Sequence, residues 1–151
     1  MTGGQVSAAP PFARGETRVS GKKILIIDDD PHLLLGLTPR LKANGFNVVT
    51  AVDAISAIAV ARKELPDLII LDLGLPGGDG FVVLERLKNL ADLAAVPVVV
   101  LSARDPADNR KRSLEGGAVA FFQKPPDNHE FLTSIRQALG ETIALSSFLK
   151  T

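Results

Sequence analysis

Residues 24–27 and 68–71 are nearly continuous aliphatic runs, and each of them ends in aspartate. Runs of this kind are typical of parallel strands that are buried on both faces of a sheet. The first run leads into an acidic triplet at 28–30 and the second into Asp72, while a third apolar run is followed closely by Lys124. Because ligands bind outside the carboxyl ends of parallel strands, we expect these acids and the lysine to share one site.

Strand and helix patterns alternate along the chain from residue 22 onward. The predicted strands are 23–27, 47–50, 68–71, 98–101 and 119–122. The predicted helices are 31–43, 54–64, 80–90, 106–115 and 128–139. Residues that commonly cap helix N-termini precede four of these helices: Asp30, Asp79, Asp105 and Asp127. The alternation predicts an α/β domain with five βα units, a parallel sheet and right-handed crossovers.

The composition excludes several classes of function. The chain has 151 residues, 46% of them hydrophobic, which suits one domain with a core on both faces of its sheet. Lysine and arginine total 17, as do aspartate and glutamate, so no overall charge favours nucleic acid or an anionic membrane. The absence of cysteine excludes disulfides, thiolate zinc sites and a cysteine nucleophile. No apolar run reaches membrane-spanning length and no secretory signal is evident, so we expect a cytoplasmic protein.

The acidic residues at the strand ends favour a bound cation. Crowded carboxylates repel one another, and a raised pKa or a cation relieves that repulsion. Oxygen ligands without histidine or cysteine favour a hard ion, and we expect Mg²⁺. An isolated acidic triplet is more often a solvated turn or a helix cap. Here Asp72 and Lys124, which follow two other apolar strands, favour a functional site.

Four motifs carry a resemblance to a known family. They are Ile-Ile-Asp-Asp-Asp-Pro at 26–31, Leu-Asp-Leu-Gly-Leu-Pro-Gly-Gly-Asp-Gly at 71–80, Leu-Ser-Ala at 101–103 and Lys-Pro at 124–125. In this order and on these strands they resemble the receiver domain of bacterial two-component response regulators, and the likeness covers about 22–140. The resemblance implies a flavodoxin-like five-stranded parallel sheet with strand order 2-1-3-4-5 and five flanking helices.

The resemblance also implies roles for individual residues. Asp72 is expected to be the phosphoacceptor, which takes a phosphoryl group from a phosphohistidine. Asp29, Asp72 and the backbone carbonyl of Gly74 are expected to ligate Mg²⁺ directly, with Asp28 acting through water. Lys124 is expected to be the cation beside the phosphoryl group. Ser102 is expected to be the switch hydroxyl, and Phe121 the aromatic residue that follows its movement. The Lys124–Pro125 bond is expected to be cis.

Some positions depart from the family pattern. Gly74 offers no side chain and Arg104 offers a long basic one at two positions that flank the attacking water, so the lifetime of an aspartyl phosphate does not follow from the resemblance. Leu34 and Leu35 stand where the family usually has polar residues. They either add to the core or form an exposed patch that docks the histidine-bearing helices of a partner.

The expected function is that of a phosphorylation-dependent switch, and the expected partners are a sensor histidine kinase or histidine phosphotransfer protein and a downstream target protein. We do not expect an enzyme with a separate substrate. A phosphohydrolase would need a second carboxylate where Gly74 stands. The basic run 110–112 is expected to be a solvated helix face rather than a nucleic-acid contact. The alternative is a pseudo-receiver, an interaction module that works without phosphorylation.

The chain is expected to have three parts. Residues 1–21 mix Gly, Ala, Pro and Ser without periodicity and are predicted to be a disordered leader or tag remnant. Residues 22–140 form the receiver domain. Residues 141–151 are predicted to be a C-terminal tail, either an extension of the last helix or a linker. The chain is then a single-domain regulator, a phosphorelay intermediate or a fragment of a longer protein.

Overall fold

The computed structural model describes residues 21–141, and within them strands and helices alternate. The strands are β1 (Lys23–Ile27), β2 (Asn47–Ala51), β3 (Leu68–Leu71), β4 (Val98–Ser102) and β5 (Ala120–Gln123). The helices are α1 (Pro31–Ala43), α2 (Ala54–Glu64), α3 (Gly80–Asn89), α4 (Pro106–Glu115) and α5 (Asn128–Ala138). The predicted α/β alternation is therefore present.

All strands of the sheet are parallel, in the order β2-β1-β3-β4-β5. This is the order 2-1-3-4-5 that the resemblance implied, and the prediction is confirmed. Ile27 of β1 pairs with Leu71 of β3, so the residues that follow these two strands emerge level with each other. Ser102 of β4 pairs with Gln123 of β5, which brings Lys124 to the same edge.

Alternate side chains of the strands point into two separate apolar cores. On one face, Leu25 and Ile27 lie in a cluster with residues of α2 and α3. On the other face, Ile24 and Ile26 lie in a cluster with residues of α1 and α5. All four of these side chains are fully buried. Each fully buried aliphatic side chain contributes about 1.5–3 kcal/mol, so the strand ends are held rigidly by the layers around them.

An aspartate caps the N-terminus of each helix in the described part of the chain. The caps are Asp30, Asp53, Asp79, Asp105 and Asp127, and each accepts a hydrogen bond from a backbone N–H in the first turn. Four of these caps were predicted and Asp53 was not. A cap of this kind typically contributes about 1 kcal/mol, and it fixes where the chain turns from strand end into helix.

Several element ends differ from the prediction by one residue. The hydrogen-bond ladder, rather than hydrophobicity, decides where a strand ends, so polar Ser102 and Gln123 belong to β4 and β5. The differing ends are Ala51 for β2, Ser102 for β4, Ala120 and Gln123 for β5, Asn89 for α3 and Ala138 for α5.

The predicted leader 1–21 and tail 141–151 lie outside the described residues except for Gly21 and Glu141. The Gly21 N–H donates to the Gly45 carbonyl over 3.2 Å. The Glu141 N–H donates to the Arg136 carbonyl over 2.9 Å. Among residues 21–141, no helix has the length and apolar character to cross a membrane.

Gly80 allows α3 to begin directly against the end of β3. Its N–H donates to the Leu73 carbonyl over 2.9 Å. A Cβ at this position would lie 2.5 Å from the Asp72 carbonyl oxygen and 2.5 Å from the Leu73 Cα. Both neighbours are backbone atoms that cannot move aside, so this contact requires glycine. Gly36 on α1 is different, since a Cβ there would have nothing within 4 Å.

We expect Gly80→Ala to lower the free energy of unfolding by about 1–3 kcal/mol or more, because the added methyl group forces α3 away from β3. Gly36→Ala is the matched control. It should raise the free energy of unfolding by roughly 0.8–1 kcal/mol through helix propensity alone. Urea unfolding of both variants measures the difference. Equal effects of the two substitutions would contradict the role of Gly80 in this contact.

Candidate functional site

The carboxylates that follow β1 and β3 meet at the carboxyl edge of the sheet, as predicted. Asp28 and Asp72 are buried, with 1% and 7% of their surface exposed, and Asp29 is exposed. One oxygen from each of the three carboxylates lies within 4.8 Å of the others. Short backbone hydrogen bonds fix the two buried residues. The Asp28 N–H donates to Ala51 over 3.0 Å and the Asp72 N–H to Ile27 over 2.9 Å.

Lys124 reaches into this acidic cluster from the end of β5. Its Nζ lies 2.8 Å from Asp28 Oδ2 and 3.9 Å from Asp72 Oδ1. The other oxygen of Asp28, Oδ1, accepts the backbone N–H of Asp30 over 2.9 Å. Both oxygens of Asp28 are therefore engaged, while Asp72 keeps more of its capacity free. The Lys124–Pro125 peptide bond is cis, which confirms the expectation from the resemblance.

Asp72 is electrostatically disfavoured as an anion in the folded chain. Burial raises the pKa of its carboxyl above the ordinary 3.8, and the negative charge of Asp28 raises it further. Lys124 and a hydrogen bond from the Gly74 N–H oppose the rise in pKa. On balance the pKa of Asp72 remains raised, so the positive charge nearby does not fully stabilise the ionised carboxylate. A cation, or a reaction that changes the charge on Asp72, would relieve this cost.

Ser102 lies on the neighbouring strand and is fully buried. Its Oγ accepts the backbone N–H of Arg104 over 3.1 Å, and its carbonyl accepts the N–H of Lys124 over 2.8 Å. Phe121 is also buried, within the core cluster that includes residues of α2 and α3. The two residues lie on neighbouring strands, Ser102 at the end of β4 and Phe121 within β5.

The structure separates the two leucines on α1 whose role the sequence left open. Leu34 is half-buried and packs against the cluster formed with α5, whereas Leu35 has 74% of its surface exposed. Leu37 and Leu41 of the same helix are buried. Leu34 therefore belongs to the core, and only Leu35 offers apolar surface to a partner.

The basic run on α4, Arg110 to Arg112, is exposed and also makes contacts within the domain. Arg112 places its Cζ 3.8 Å from the centroid of the Phe81 ring, which is cation–π geometry. Arg110 Nη1 donates to the Phe121 carbonyl over 3.4 Å, and Lys111 lies 3.9 Å from Glu115. All three residues of the run are nevertheless exposed, so the prediction of a solvated helix face is confirmed, and the two arginines also contact atoms of the domain itself.

Sequence reasoning missed two features of the site. Arg104 Nη1 lies 3.9 Å from Asp79 Oδ1, an ion pair between the loop after β4 and the cap of α3. Gly80 forms the close backbone contact at the end of β3. The glycine that follows a cap residue at the start of α3 was a usable signal for the second feature. No pattern in the sequence indicates the first.

A flavodoxin-like sheet with an acid pair and a lysine at its carboxyl edge defines a receiver-type domain. The sequence profile of the response regulator receiver domain matches residues 24–136. The chain belongs to this family, and it is a receiver domain of the kind used in two-component signalling.

Relatives and solved structures agree with this assignment. The chain is 37% identical over 135 residues to the transcriptional regulatory protein PrrA of Mycobacterium tuberculosis, covering 87% of the chain and 57% of PrrA. It is 39% identical over 120 residues to the DNA-binding dual master transcriptional regulator RpaA of Synechocystis, covering 80% of the chain and 50% of RpaA. The chain thus spans about half the length of these curated relatives.

Among solved structures, a putative response regulator from Chloroflexus aurantiacus superimposes with a TM-score of 0.76 and 27% identity. It covers 81% of this chain, and the match takes in 100% of that chain. The BeF3-activated receiver domain of Klebsiella pneumoniae RstA superimposes with a TM-score of 0.71 and 30% identity, over 78% of this chain and 97% of that one.

The raised pKa of Asp72 predicts how the free energy of unfolding depends on pH. The folded state favours the protonated form of Asp72. The stabilisation that this protonation gives is therefore complete below the unfolded-state pKa of 3.8 and is lost as pH rises through the folded-state pKa. In EDTA at neutral pH, Asp72→Asn should therefore be more stable than the wild type. The difference should shrink as the pH falls towards 3.8.

Urea unfolding between pH 4 and pH 8 measures this difference, with exposed Asp108→Asn as the control. A stability difference that does not change with pH, or an Asp72→Asn variant that is less stable than the wild type at neutral pH, contradicts the assignment.

Proposed function

We propose that this receiver domain accepts a phosphoryl group on Asp72 from a phosphohistidine of a sensor histidine kinase or histidine phosphotransfer protein, and that the modification changes its partner-binding surface. The observation that carries this proposal is the setting of Asp72. It is a buried carboxylate that lies within 4.8 Å of two others and has the Lys124 ammonium 3.9 Å away. In this proposal the chemistry is confined to the Asp72 side chain, and the domain acts as a phosphoacceptor rather than as an enzyme with a separate substrate.

The residues at the site fit Mg²⁺. The donors are all oxygen atoms, they are clustered, and the pKa of Asp72 is raised by burial and by Asp28, so a cation there lowers the cost of the ionised carboxylate. Asp29 and Asp72 would ligate the ion directly, with the Gly74 carbonyl. Asp28 would act through water, because its two oxygens already bind Lys124 and the Asp30 N–H. When bound, Mg²⁺ supplies positive charge opposite the phosphoryl oxygens.

In the transfer, the protein mainly positions the reacting groups and stabilises their charge. An Asp72 carboxylate oxygen attacks phosphorus in line, and the P–N bond of the donor breaks. Its electron pair stays on the imidazole, which takes up a proton from solvent. Lys124 holds a positive charge beside the transferred group, and water later cleaves the P–O bond to release inorganic phosphate and restore Asp72.

Modification then changes the hydrogen bonding of Ser102. In the described structure the Ser102 Oγ accepts the Arg104 N–H over 3.1 Å. A phosphoryl group on Asp72 offers strong acceptor oxygens to a hydroxyl that can donate, so Ser102 turns towards it. Phe121, which is buried in the core cluster with residues of α2 and α3, then follows this movement.

The proposed partners of this domain are proteins. RpaA is named as DNA-binding, but the chain covers only 50% of that protein. The present chain has 17 basic and 17 acidic residues, and Arg110 and Arg112 are engaged within the domain. We therefore assign residues 24–136 a phosphodonor and a downstream target protein rather than nucleic acid.

Intact-protein mass after incubation with a small acyl phosphate tests the function. The wild type should gain one phosphoryl group only when Mg²⁺ is present, and the adduct should be labile to base. Asp72→Asn should gain none, and Asp127→Asn should behave as the wild type. An unmodified wild type under these conditions would reject the phosphoacceptor role and favour the pseudo-receiver alternative.

Leu35 provides a separate test of partner docking. Leu35→Ala should slow phosphotransfer from the cognate histidine donor by about tenfold or more if the side chain is a buried anchor in that complex. It should leave phosphorylation by a small acyl phosphate unchanged and shift stability by less than about 0.5 kcal/mol.

Leu34→Ala is the matched control, and it should instead lower the free energy of unfolding by about 1–2 kcal/mol because Leu34 is half-buried. Equal slowing of Leu35→Ala with both donors would reject the docking role.

A further inference from the structure

Arg104 bridges the loop after β4 to the start of α3. Its Nη1 lies 3.9 Å from Asp79 Oδ1, and its Cζ lies 5.9 Å from the centroid of the Phe81 ring. The side chains of Arg104 and Asp79 are 38% and 43% exposed. An ion pair with this exposure is weak, so a stronger anion nearby can replace Asp79 as the partner of Arg104.

Both ends of this bridge are anchored beside the phosphoacceptor. Asp79 is followed by Gly80, whose N–H donates to the Leu73 carbonyl and where an added Cβ would lie 2.5 Å from the Asp72 carbonyl oxygen. At the other end, the Arg104 N–H donates to the Ser102 Oγ. The bridge therefore joins the end of β3 to the end of β4, across the edge where a phosphoryl group on Asp72 would lie.

The space next to Asp72 is open on the side of Gly74. A Cβ built on Gly74 would approach only Asp72 Oδ2, at 4.0 Å, and glycine carries no such atom. No side chain at this position competes for the phosphoryl oxygens. A guanidinium has several donors in a planar fork that matches phosphate oxygens better than a single carboxylate oxygen at 3.9 Å.

We propose that Arg104 exchanges partners: it pairs with Asp79 in the unmodified domain and with the phosphoryl group on Asp72 after modification. The pair Arg104–Asp79 is thus a latch that opposes the switch, and the phosphoryl dianion opens it. This inference rests on the proposed phosphoacceptor role of Asp72.

The latch connects Asp79 to Ser102 through Arg104, whose side chain pairs with Asp79 and whose backbone N–H donates to the Ser102 Oγ. While Asp79 and Phe81 hold the side chain, the Arg104 backbone N–H stays on the Ser102 Oγ. Movement of Ser102 towards Asp72 breaks that hydrogen bond and displaces the loop that carries Arg104. Release of the side chain and release of the hydroxyl therefore favour each other, and Asp79 disfavours both.

The test is the affinity of the unmodified domain for beryllofluoride, an analogue of the phosphoryl group, in saturating Mg²⁺. The chain has neither tryptophan nor tyrosine, so backbone amide NMR signals of Ser102 and Arg104 follow the titration better than intrinsic fluorescence. The variants are Asp79→Asn, Arg104→Gln and the double variant. Asparagine caps a helix about as well as aspartate, so Asp79→Asn removes the charge and keeps the N-terminus of α3.

We expect Asp79→Asn to bind beryllofluoride roughly two- to fivefold more tightly than the wild type, the size of one exposed ion pair. Arg104→Gln should bind no more tightly than the wild type, and adding Asp79→Asn to it should change nothing. Asp127→Asn, which removes the charge of another capping aspartate, should match the wild type.

Two results overturn the latch while the phosphoacceptor role stands. In one, the wild type binds beryllofluoride, but Asp79→Asn binds it no more tightly than Asp127→Asn does. The other is a gain in affinity from Asp79→Asn that persists in the Arg104→Gln background. A wild type that binds no beryllofluoride overturns both proposals.

Discussion

The pairing of Lys124 with two buried carboxylates is the interaction on which the site depends. Burial of an unpaired charge costs several kcal/mol, and here Asp28 and Asp72 are buried side by side. The Lys124 ammonium, 2.8 Å from one and 3.9 Å from the other, offsets only part of that cost, since the pKa of Asp72 remains raised. The negative charge of the two carboxylates is therefore only partly compensated. A bound cation, or a change of charge on Asp72, would lower the remaining electrostatic cost. The two cores hold the strand ends in place against this repulsion.

The register of the parallel strands determines where the charged residues of the site lie. Ile27 pairs with Leu71, so Asp28 and Asp72 leave their strands at the same height. Gly80 then brings α3 against the Asp72 backbone, and the cap Asp79 follows from that position. The hydrogen-bond ladder and one close glycine contact thus determine where the charges at the edge lie.

The sequence predicted the sheet order, the helices and the acids at the strand ends because these depend on local patterns and on the rule that parallel strands end at one edge. It did not predict that Lys124 lies closer to Asp28 than to Asp72, since that preference depends on side-chain geometry. The Arg104–Asp79 pair was also missed, because the two residues are far apart in sequence and meet only through the packing of α3 beside β4. The exposed basic run on α4 was predicted, but sequence spacing gives no sign that Arg112 also covers the Phe81 ring.

The contact between Arg112 and Phe81 has a consequence for the mechanics of the domain. Ser113 is the buried residue of α4, and its hydroxyl is bound to the Asn109 carbonyl of the same helix. Two arginines of the helix also contact the rest of the domain, Arg112 over the Phe81 ring and Arg110 at the Phe121 carbonyl. Such contacts slide and re-form with little loss, whereas a buried leucine leaves a cavity when it moves. No residue of α4 belongs to either apolar core of the described residues, so displacement of this helix by a fraction of a turn would leave both cores intact. We therefore expect α4 to be the helix that moves at least cost beside the site.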